Sequence, residues 1–73
     1  MKIIKIVQPD RTMAYNPMYV KRVELIHNKA NDNWCVNVVH VVNDREVAEP
    51  VICKNQQSAF ELHKEYVSCL ESI

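Results

Sequence analysis

Glycine is absent from these 73 residues. Loops that cradle phosphate bring the backbone against the ligand at glycines, so ordinary nucleotide-dependent chemistry is not expected. Asparagine or aspartate must instead occupy any position with positive φ. Long hydrophobic runs are missing too. The longest span a few residues, too short to cross a bilayer. The opening Met1-Lys2-Ile3-Ile4-Lys5-Ile6-Val7 lacks the longer apolar stretch and small-residue cleavage site of a signal peptide. Cysteine is scarce and odd in number. Cys35, Cys53 and Cys69 lie far apart and do not form a secreted disulfide framework, which predicts reduced thiols and a cytoplasmic location.

Net charge is missing as well, but the charges are unevenly placed. Residues 1–30 carry six basic side chains against two acidic, and residues 31–73 carry three against seven. Such asymmetry can mark a charged partner surface. In one compact domain the halves interleave and the charges cancel in space, and that is the expectation here.

What is present suits a small folded unit. The apolar fraction of 48% and charged fraction of 25% argue against disorder. The length allows one domain, residues 1–73, with one core. A domain of this size buries only about 60% of its unfolded surface, so a partner adds much to its stability.

Lys2 to Val7 reads as a strand, and Gln8-Pro9-Asp10-Arg11 as a turn. Thr12 to Tyr15 is a candidate short strand, broken by Asn16-Pro17. Met18 to His27 is the next strand, followed by the polar loop 28–33. Trp34 to Val42, rich in valine, is the strongest strand. Asn43-Asp44 makes a tight turn, and Arg45 to Cys53 returns. Pro50 cannot donate a ladder hydrogen bond, so this strand lies at an edge or bulges there. Gln56 to Glu71 is a helix with Asn55 as its N-cap; Ser58 with Glu61 is an alternative capping box. Its apolar stripe is Ala59, Leu62, Tyr66, Cys69 and Ile73, with Phe60, Val67 and Leu70 beside it. Glu61, Lys64, Glu65, Ser68 and Glu71 face water.

A two-residue turn at Asn43-Asp44 puts Trp34, Val36, Val38, Val42, Val47, Val51 and Cys53 on one face of the hairpin. Cys35, Val39, Val41, Ala48 and Ile52 fall on the other. A three-residue turn reverses the parity of the return strand. Either way the hairpin is apolar on both faces, and one helix covers only one.

No catalytic constellation emerges. Cys35, Cys53, Cys69, His27, His40 and His63 have the right chemistry for zinc, but lack the close pair that preorganises a structural site. No metal or other cofactor is expected. The thiols read as structural; Cys69 lies near the helix C-terminus, where the dipole disfavours a thiolate. Glu46 and Glu49 point to opposite faces of a strand. Basic and aromatic residues at Tyr15, Lys21 and Arg22 are what backbone contact plus base stacking requires, so they are the candidate nucleic-acid contacts. Against them stands a sequence pI near 6.8. Trp34 reads as a core anchor, with an exposed hot spot as its alternative.

The expected fold is α+β: an antiparallel sheet of about four strands, β-β-β-β-α in order, with the C-terminal helix packed on one face. The expected function is that of a non-enzymatic interaction protein. Its partner surface is the outer sheet face at Val39, Val41 and Ile52, covered by a protein or by a second copy in a homodimer. The alternative is a nucleic-acid-binding module using the basic N-terminal half. The layout, taken over the whole chain, is similar to that of many small proteins of bacteria and their phages. That likeness carries no specific motif and implies an accessory or inhibitor role.

Overall fold

The computed structural model describes residues 2–72. Its strands are β1 (Ile4–Val7), β2 (Thr12–Tyr15), β3 (Val20–Asn28), β4 (Asn33–Val42) and β5 (Arg45–Cys53), followed by helix α1 (Gln56–Glu71). The class is α+β with the helix last. The strands number five and divide between two antiparallel sheets, β1-β2 and β3-β4-β5. The helix is not long and apolar enough to cross a membrane.

Local chemistry sets the boundaries. The turn between β1 and β2 closes with Gln8 N–H on the Arg11 carbonyl at 2.8 Å. Asn16 then starts a 3-10 turn, Pro17–Tyr19, by accepting the Met18 N–H on its side chain at 2.9 Å. That turn delays β3 to Val20, two residues later than the expected start at Met18. The β3–β4 register slips between Val20 and Arg22, so Lys21 occupies a bulge. Asn43 and Asp44 have φ of 51° and 63°. Both are left-handed, which makes the two-residue hairpin turn whose twist matches the strands. Val42 therefore pairs with Arg45, and the parity expected for a two-residue turn is the one found. At the helix start Asn55 accepts the Ser58 N–H at 2.8 Å. Ser72 closes the other end, donating its hydroxyl to the Cys69 carbonyl at 2.7 Å and accepting the Lys2 N–H at 3.1 Å.

One face of β3-β4-β5 is covered by two things rather than one. Ala59, Tyr66 and Cys69 of α1 join Val36 and Val38 in the core, and so do Ile4 and Ile6 of the β1-β2 hairpin. The Tyr66 hydroxyl donates to the Lys5 carbonyl at 3.3 Å, tying the helix to β1. Phe60, expected in the packed stripe, is instead 47% exposed. The helix turns Ala59 and Tyr66 squarely inward, which leaves Phe60 edge-on to Trp34 with ring centroids 5.6 Å apart. Trp34 is half-buried and packs against the core on the covered face, with His27 stacked on it at 4.2 Å. Ile73, the last residue of the expected stripe, lies outside the described residues.

Each edge of the larger sheet carries a side-chain hydrogen bond. The hairpin turn fixes Val42–Arg45 as a hydrogen-bonded pair, so alternation makes Asn37–Pro50 a non-bonded pair. Pro50 thus turns its missing donor away from the sheet, and its carbonyl accepts from Gln8 Nε2 at 3.3 Å. On the β3 edge, the Val23 carbonyl is 3.3 Å from His63 Nε2. A carbonyl can only accept, so this nitrogen carries the proton.

Candidate interaction surface

The other face of β3-β4-β5 is open. Its side chains fall in rows across the three strands, fixed by register. Ile26, Cys35 and Ile52 form one row; Glu24, Asn37 and Pro50 the next; Arg22, Val39 and Ala48 the third. Val41 and Glu46 follow beside it. Ile26 is 40% exposed and Ile52 68% exposed, with the half-buried Cys35 between them.

The expected partner residues do not form one patch. Ile52 and Val41 are exposed, but Val39 is only 2% exposed. The reason lies in the charges. Arg22 on β3 donates from Nη1 to Glu46 on β5 at 2.9 Å, and Lys21 donates to the same carboxylate at 2.7 Å. Reaching from one outer strand to the other, the arginine must pass over β4 where Val39 stands opposite Arg22. Its aliphatic stem screens the valine from water. Ile26 takes the place of Val39 in the exposed apolar surface. Sequence periodicity missed it because the bulge at Lys21 shifts the β3 register; only that register shows Ile26, Cys35 and Ile52 aligned.

The candidate nucleic-acid contacts are also separated. Lys21 and Arg22 share the open face, but both are bonded to Glu46, and Arg22 reaches Glu24 as well at 3.3 Å. The hydrogen bond from Lys21, then that from Arg22, holds the Glu46 carboxyl below its ordinary pKa; the bonds to Glu46 and then Glu24 raise that of Arg22. Tyr15 points the other way, into the space between the hairpin and the sheet, with its ring 4.5 Å from that of His40. Burial, and then the nearby Glu49 charge, push the Tyr15 hydroxyl pKa up. Glu49 in turn is bonded to Arg11 at 2.6 Å.

The groups with metal or nucleophile chemistry are dispersed. His27 bonds Asp32 at 2.8 Å, His63 is engaged at the β3 edge, and His40 is buried beneath Tyr15. Among the described residues no three His, Cys, Asp or Glu side chains gather as a metal site. Cys35 lies on the open face, while Cys53 and Cys69 belong to the covered side. Burial raises the Cys35 and Cys53 thiol pKa values, away from the thiolate that a nucleophile needs. No family model, curated protein or solved structure matches this chain.

Proposed function

We propose that this chain is a small non-enzymatic interaction protein that holds a protein partner against the open face of β3-β4-β5. The observation that carries the reading is the row of Ile26, Cys35 and Ile52, one residue from each strand, on a face that neither the helix nor the hairpin covers. The charges beside the row are already paired with one another, so a partner can cover them without leaving a charge unmatched. Docking on the face is favoured over strand addition, because Pro50 with Gln8 and His63 with the bulge obstruct the two edges. A cytoplasmic accessory or inhibitor role fits the free thiols and the small size. The nucleic-acid reading is not favoured: its lysine and arginine are neutralised by Glu46 and Glu24, and its tyrosine is turned inward.

The test is paired capture from the native host with wild type and Ile52→Glu as baits. Ile52 is mostly exposed, so the variant should fold normally. A protein retained by wild type and lost by the variant supports the reading. Equal retention by both baits places the partner elsewhere and overturns it.

A further inference from the structure

We draw no further inference here: the strongest candidate, the open face of β3-β4-β5 around Ile26, Cys35 and Ile52, belongs to the surface already described, its charged neighbours are paired within the chain, and nothing in the structure shows what covers it.

Discussion

Arg22 and Glu46 join the two outer strands of the larger sheet, guanidinium to carboxylate at 2.9 Å, across the full width of β4. An exposed ion pair contributes little to stability by itself. Its consequence here is positional, since the arginine crosses β4 beside Val39, its cross-strand neighbour. Arg22→Ala should uncover the valine and raise the binding of an apolar fluorescent dye to the folded protein. The carboxyl pKa of Glu46 is lowered in the fold, so the bridge is intact above the ordinary carboxylate range. It is lost as the pH falls through the lowered value, and wild-type dye binding should rise there too. Dye binding unchanged by Arg22→Ala would show that other side chains cover Val39.

The helix offers a comparison between two aromatics. Tyr66 is 3% exposed and anchored to Lys5, whereas Phe60 is half in water and touches Trp34 edge-on. Tyr66→Ala should cost about 3–5 kcal/mol, as large truncations in cores do. Phe60→Ala should cost about 1–2 kcal/mol, from partial burial and one aromatic pair. Denaturant titration of both variants measures the difference. Equal losses would mean that the helix is rotated from the orientation described here.

Much of this fold is local and could be read from the chain. Asn55 and the three-four spacing of Ala59, Leu62, Tyr66 and Cys69 give the bounds of α1, Gln56 to Glu71. Asn43-Asp44 gives the turn and hence the faces of β4 and β5. What escaped is set by distant contacts. The pairing of β1 with β2 into a separate sheet leaves no mark on the period of either strand. The rotation of α1 that exposes Phe60 is chosen among several apolar stripes by Ile4, Ile6 and the Lys5 carbonyl, some sixty residues away in sequence. At the candidate surface, Val41 and Ile52 were legible from alternation. The burial of Val39 was not, because the Arg22–Glu46 bridge that passes beside it joins residues on two different strands.

The thiols should separate by position. Cys35, Cys53 and Cys69 are all free, and only Cys69 is buried. A thiol reagent should modify Cys35 and Cys53 first, more slowly than an unhindered thiol because burial raises both pKa values. Cys69 should react only on opening of the helix. No disulfide contributes to the fold, so the thermal midpoint should be the same with and without reductant. Rapid reaction at Cys69, or a midpoint that falls under reduction, would contradict this arrangement.

Alkaline pH should expose the role of the Tyr66 hydroxyl. Burial first, and then the charge of Glu65, push its pKa from an ordinary 10.0 up to about 12. The neutral phenol donates to the Lys5 carbonyl, a bond that the phenolate cannot make. In the unfolded chain the same phenol ionises near its ordinary value. Below that value both states hold the proton, and Tyr66 adds no pH dependence. Between the two values the unfolded state has released its proton and the folded state has not. The unfolded state then binds fewer protons, so the free energy of unfolding falls as pH rises. The favourable contribution is therefore complete below pH 10 and is lost as the pH climbs through about 12. Tyr66→Phe should cost about 1 kcal/mol at neutral pH, since it leaves the Lys5 carbonyl without this donor. The same variant should flatten the alkaline limb, because the titrating group is gone. Urea unfolding of the two proteins at neutral pH and across the alkaline range separates these effects. A wild-type limb as steep as that of Tyr66→Phe would place the alkaline loss on other groups and dismiss Tyr66 as its source.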